Sequence, residues 1–201
     1  MMREKEERTL SVSVEISARH VHLCQKDVEI LFGVGHRLAN KRILSQPGQY
    51  AAREAVSLIG SRGRIDGVCV LGPTRAETQV EISMTDGYHL GVDPPVCESG
   101  NLRGSSGITL KGSAGTVELT KGVICAERHI HMLPATAEYW GLHDGQYVQL
   151  HVGGVRGLIF GQVRIRVSPG SSVKPVLHID TDEGNAAGIV TGNVGVVVWG
   201  D

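Results

Sequence analysis

The chain has 201 residues, a formal charge of −1, 27 glycines and 4% aromatic residues. That length suits one compact domain or two small ones. The near-neutral balance offers no electrostatic footprint for nucleic acid or an anionic membrane, and no apolar run approaches the roughly 20 residues of a spanning helix.

The opening MMREKEERTL is charged and lacks the apolar core of a secretory signal. Residues 1–8 are expected to form a frayed or short helical tail. Cys24, Cys69, Cys97 and Cys125 show no Cys-x-x-Cys pairing, so a reducing, cytoplasmic setting is expected. Abundant Gly, Val and Ile with few helical periodicities point to an all-β fold with short helices.

Leu10 to Ile16 alternates, with Val12, Val14 and Ile16 on one face and Ser11, Ser13 and Glu15 on the other. That predicts a strand, and it runs directly into Arg19-His20-Val21-His22. Gln25 to Phe32 carries Val28, Leu31 and Phe32 at helical spacing and stops at Gly33 and Gly35. A loop around Pro47 follows, with Gln46 and Gln49 as polar site candidates or plain turn residues. Strands are predicted over Ala55 to Ile59 and Ile65 to Val70. Gly72-Pro73-Thr74-Arg75 reads as a tight turn that places an arginine at the head of the next strand, Thr78 to Ser83. Gly100 to Gly115 reads as turns with short strands.

Val117 to Ile124 alternates again and leads into Arg128-His129-Ile130-His131. Pro134 to Trp140 predicts a short helix with proline near its first position. Tyr147 to Val152 and Gly157 to Val167 predict a hairpin about Gly153-Gly154. Val176 to Asp180 is a strand, Thr181 to Asn185 a turn, and Val194 to Trp199 a final strand.

The pattern Arg-His-β-branched-His-apolar thus occurs twice in matching contexts. On a strand, residues i and i+2 face the same way, about 7 Å apart, so two imidazoles can converge on one metal ion. On a helix the same spacing would separate them. Further along each half an apolar-ligand-apolar triplet follows: Val80-Glu81-Ile82 and Leu177-His178-Ile179. A duplication in which each half supplies three donors is the simplest account. His20, His22 and Glu81 form one candidate set; His129, His131 and His178 form the other. Three protein donors with one open position suit a catalytic zinc site. Asp180, Asp182 or backbone carbonyls are candidates to hold the far imidazole nitrogens. Arg19 and Arg128 are expected to pair with carboxylates. Cys24 and Cys125 share the parity of the neighbouring histidines and are read as small buried hydrophobes.

The runs SARHVHL, LSQPGQYAARE, LGPTRAETQVEIS, GVDPPVCESG, GVICAERHIHM, RGLIFGQV and HIDTDEGNAAG resemble the phosphate propanoyltransferases of the PduL type, from about Val12 to about Gly188. The resemblance implies two small β-barrel domains from an internal duplication, with a strand exchanged between the barrels. One would comprise residues 9–18 together with 127–201, the other 19–126. It implies reversible transfer of a short acyl group, propanoyl or acetyl, between coenzyme A and inorganic phosphate, at a site with two zinc ions. Carried over by position, His20, His22 and Glu81 match the ligands of one ion, and His129, His131 and His178 those of the other. Arg75 matches an arginine that contacts phosphate. Implied partners are acyl-CoA and phosphate, an acyl kinase downstream and a bacterial microcompartment, and a homo-oligomer is expected. Many members carry an amphipathic N-terminal targeting peptide, and MMREKEERTL has too few apolar residues to resemble one. Asn101 stands where the family commonly has Asp, and Gly184 where it commonly has Ala. Spacing alone leaves two other readings open: a zinc-dependent hydrolase, and a non-catalytic module stapled by metal.

Overall fold

The structure, a computed structural model, describes residues 9–199. The tail expected over residues 1–8 lies outside the described residues. Strand β1 spans Ser11–Ile16 and β2 His20–Cys24; α1 spans Gln25–Phe32 and β3 Asn40–Ile43. Then come β4 (Tyr50–Ile59), β5 (Arg64–Arg75), β6 (Gln79–Glu81), α2 (Met84–Leu90), β7 (Val96–Cys97) and β8 (Ser106–Lys111). The second half contains β9 (Thr116–Ala126), β10 (His129–Met132), α3 (Pro134–Trp140), β11 (Tyr147–Val152) and β12 (Leu158–Val167). It ends with β13 (Val176–Ile179), α4 (Thr181–Ala187) and β14 (Val194–Val198). Among the described residues no helix is long and apolar enough to cross a membrane.

The chain divides into two units. Among the described residues, one holds 9–16, Arg128–Ile179 and 183–199; the other holds Ser17–Glu127 and Asp180–Asp182. The first is a closed barrel in the order β1-β13-β10-β12-β11-β14, with β14 returning to β1. Alternation decides which side chains fill it. Val12 and Val14 of β1, Ile130 of β10, Ile165 of β12 and Leu177 of β13 all point into one apolar core. Each such fully buried side chain contributes about 1.5–3 kcal/mol of transfer free energy. Gly184 of α4 leaves room for the Ile16 side chain, whose Cδ1 would lie 2.6 Å from an added Cβ.

The second unit closes through β4-β5-β2-β6-β9-β8 and back to β4, with β3 added on β4 and β7 on β9. Val21, Leu23, Val70, Val80 and Val123 fill its core.

Strand pairing reveals the duplication in full. In each barrel the His-x-His strand lies between a parallel partner (β5 or β12) and an antiparallel one (β6 or β13). The antiparallel partner in turn pairs in parallel with a lead strand, β9 or β1. Each lead strand directly precedes a His-x-His strand in sequence, but of the other barrel. The strand exchange implied by the family resemblance is therefore reciprocal.

The structure adds elements to those expected and alters others. The segment after Ser83 is a helix, α2, because the Ser83 hydroxyl accepts from the Asp86 backbone N–H while the Asp86 carboxylate reaches back to the Ser83 N–H. That reciprocal cap satisfies two otherwise orphaned donors. Thr181 to Ala187 is likewise helical rather than a turn. Asn40–Ile43 forms an edge strand although all four residues are exposed, since β4 supplies its hydrogen-bond partners. β5 continues through Gly72-Pro73 to Arg75, so Arg75 ends that strand instead of heading the next.

Candidate functional site

Three strands build each site. His20 stands opposite Glu81 in the antiparallel β2–β6 pair, and His22 opposite Gln79. His129 stands opposite His178 in β10–β13, and His131 opposite Val176. The register is the same in both. Because Val21 and Val80 point into one core, and Ile130 and Leu177 into the other, the intervening ligand-type side chains share the opposite face of their sheet.

The donor atoms of His20, His22 and Glu81 lie within 4.8 Å of one another, and so do those of His129, His131 and His178. His20 is 7% exposed and His22 2%. The His20 Nδ1 lies 2.9 Å from the Ala18 carbonyl oxygen. Donating there, it turns the lone pair of its Nε2 toward Glu81 Oε2, 3.5 Å away. A nitrogen lone pair and a carboxylate so placed repel unless a proton or a cation lies between them. In the second site the Nε2 atoms of His129 and His131 face each other at 3.1 Å, with the same consequence. Both donor sets, imidazole with carboxylate and imidazole alone, suit a borderline divalent ion. The residues therefore fit a metal at each site.

The electrostatics agree. Burial lowers the His22 pKa to about 3, helped by the charges of His20 and Arg75. Burial likewise lowers His131 to about 3, with His129, His178 and Arg166 adding to the effect. Both rings are held as the neutral imidazoles that a metal requires. Burial alone would raise the Glu81 carboxyl, but His20, His22 and a hydrogen bond from Ser99 hold it well below the usual range. For His20 burial is outweighed by Glu81, so its pKa rises.

Arg75 stands at the edge of the first site. Its Nη1 donates to the Ser99 hydroxyl at 3.3 Å. Ser99 donates to Glu81 Oε1 at 2.8 Å, and the Gln79 amide reaches the same hydroxyl at 2.9 Å. Gln79 Oε1 accepts from the Gly100 N–H at 2.8 Å, which ties the loop carrying Ser99 to β6. Reading by spacing missed the roles of Gln79 and Ser99. Gln79 shares the parity of Glu81 and was open to inference; Ser99 sits in a turn about 20 residues downstream, and no local pattern marks it.

The neighbouring strands distinguish the two sites. Cys69 and Leu71 of β5 flank His20 and His22, and Ile124 of β9 lies beside Glu81. Around the three-histidine site the same positions hold Arg164, Arg166 and Glu15.

Asp180 accepts from the Cys125 thiol at 3.3 Å and Asp182 from the Thr85 N–H at 2.8 Å. At His20 it is the backbone carbonyl of Ala18 that holds the far nitrogen. Arg19 forms a two-pronged pair with Asp86, at 2.7 and 2.8 Å. Arg128 pairs with Glu183 at 2.7 Å, the matching place in the other half. Gln46 and Gln49 close the turn between β3 and β4. Asn101 belongs to a turn whose side chain accepts from the Arg103 N–H. All four cysteines are free thiols.

Residues 13–190 match the family model described as phosphate propanoyltransferase. The chain is similar to the phosphate propanoyltransferase of Thermotoga maritima, 50% identical over 188 residues that cover 93% of this chain and 89% of that one. It is 49% identical to that of Clostridioides difficile over 187 residues, covering 93% and 88%. To that of Enterococcus faecalis it is 42% identical over 196 residues, covering 98% and 92%.

Proposed function

This chain belongs to the phosphate propanoyltransferase family, and on that premise we propose that it moves a short acyl group reversibly between coenzyme A and inorganic phosphate. The match across residues 13–190 carries this reading. His20, His22 and Glu81 would hold one divalent ion, and His129, His131 and His178 another, zinc by the chemistry of the donors. Such ions supply Lewis-acid charge for an anion and for a polarised carbonyl.

The chain's own residues supply position. Phosphate is already an anion at neutral pH, so it needs to be held rather than activated by a strong base. Arg75 presents a guanidinium that can grip two phosphate oxygens and aim a third at the thioester carbon. Ser99 and Gln79 brace Arg75 against Glu81, which keeps the guanidinium from swinging into solvent. As the new C–O bond forms, the carbonyl oxygen gains negative charge, and a fixed donor there is worth on the order of 3 kcal/mol. Collapse breaks the C–S bond and releases the coenzyme A thiolate, leaving an acyl phosphate. The reverse reaction retraces these steps. An acyl phosphate is a reactive mixed anhydride, a suitable substrate for an acyl kinase.

The test is an assay of propanoyl- and acetyl-CoA with and without inorganic phosphate, on protein of known metal content. Acyl phosphate trapped as its hydroxamate supports the reading. Coenzyme A release that proceeds equally without phosphate would identify a hydrolase instead.

A further inference from the structure

We propose that Glu15 is a fourth protein donor to the ion held by His129, His131 and His178, carried to that site on the exchanged strand β1. The proposal rests on the metal-binding reading above and extends it to a residue outside the two triads.

Glu15 and His178 are register partners in the parallel β1–β13 pair, and their side chains leave the same face of the sheet. Glu15 Oε2 lies 3.5 Å from His178 Nε2. At the other site Glu81 Oε2 lies the same 3.5 Å from His20 Nε2. The carboxylate-to-imidazole spacing found within one triad thus recurs beside the second.

The duplication sharpens the point. The position of Glu15 corresponds to Ile124 at the first site, which is fully buried. There the triad already contains a carboxylate, and the lead strand offers a hydrocarbon. At the second site the triad is three imidazoles, and the lead strand offers the carboxylate. Each site is thereby given one negative side chain from different strands. Three neutral imidazoles leave the charge of a divalent ion uncompensated, and Arg164 and Arg166 on the opposite flank add to the positive field. A carboxylate on the remaining side offsets both. The Glu15 side chain is 30% exposed, so it has freedom to close the last distance. Zinc accepts five ligands as well as four, so a fourth protein donor still leaves room for substrate.

The test is zinc release into a chromophoric chelator from protein loaded with two equivalents. Glu15→Gln keeps the size and polarity of the side chain and removes its charge. It should release one ion about 10–100-fold faster than the unaltered protein, the range for loss of a residue supporting a metal. The other ion should leave at its unaltered rate. Ser13→Ala, on the same face of β1, should leave both rates unchanged. If both ions leave Glu15→Gln at unaltered rates, the proposal is overturned. Should Glu15→Gln fail to fold, Glu15→Asp decides: faster release of one ion supports the proposal, and unaltered release of both sinks it. His131→Ala separates this from the underlying reading. It should bind one ion fewer, and if it keeps both, the metal reading falls and the Glu15 proposal with it.

Discussion

Glu81 stands directly across the antiparallel ladder from His20, with its Oε2 3.5 Å from the imidazole Nε2. His178 occupies the same place relative to His129. A carboxylate in one barrel and an imidazole in the other therefore hold equivalent positions, and each completes a triad begun by a His-x-His strand.

Removing that carboxylate should disable one site without touching the other. Glu81→Gln is expected to lower the metal content of fully loaded protein from two ions to one, as read by atomic spectrometry after desalting. Loss of both ions, or of neither, would contradict two independent triads.

Arg75 should matter for turnover and not for metal content. Arg75→Ala is expected to lower the rate about 10²–10³-fold, the usual loss for one preorganised charge-stabilising donor, with both ions retained. Arg75→Lys keeps the charge but loses the planar fork, so part of the loss should remain. Steady-state kinetics with phosphate as the varied substrate, beside metal analysis, checks both.

The Arg19–Asp86 pair joins the residue before the first histidine to the capping box of α2. The Arg19 side chain is 41% exposed and that of Asp86 only 7%. Screening should limit the cost of Arg19→Ala to about 1–2 kcal/mol. Asp86→Ala should cost more, because it removes the cap as well as the ion pair. Urea unfolding of the two variants gives the comparison, and equal losses would argue against the capping role.

Acidification should destabilise the metal-free protein. His22 and His131 have folded pKa values of about 3 against an ordinary 6.5. Between those values the unfolded chain binds protons that the folded chain refuses, so stability falls as pH drops from about 6.5 toward 3. Glu81, whose folded pKa is depressed, contributes stability that is present above its ordinary value of 4.5 and lost below it as the carboxylate is protonated. His20 runs the other way: its raised pKa adds stability below 6.5 that disappears as pH rises through the folded value. The two depressed histidines outnumber it, so the urea midpoint should decline across this range. In loaded protein, protons competing for the same imidazoles should release metal over the same interval. A midpoint that rises between pH 6.5 and 4 would show that these rings are not held neutral.

Much of the site was legible because parity along a strand is a local property. The alternation of Val12, Val14 and Ile16, the two His-x-His pairs and the triplets around Glu81 and His178 each lie within a few residues, and together they indicate six donors and a doubled unit. The first turn of α2 was also open to reading, since Ser83 three residues before Asp86 is a capping signature.

Register and partnership were not legible, because they join residues far apart in sequence through backbone hydrogen bonds that any sequence can make. β1 pairs with β13 and β14 at the far end of the chain, and only that pairing sets Glu15 beside His178. The link from Arg75 through Ser99 to Glu81 likewise depends on where a turn folds back, not on any periodicity. Side-chain spacing along the chain determined which chemical groups face the same way; the closing of two barrels through reciprocal lead strands decided which of those groups meet.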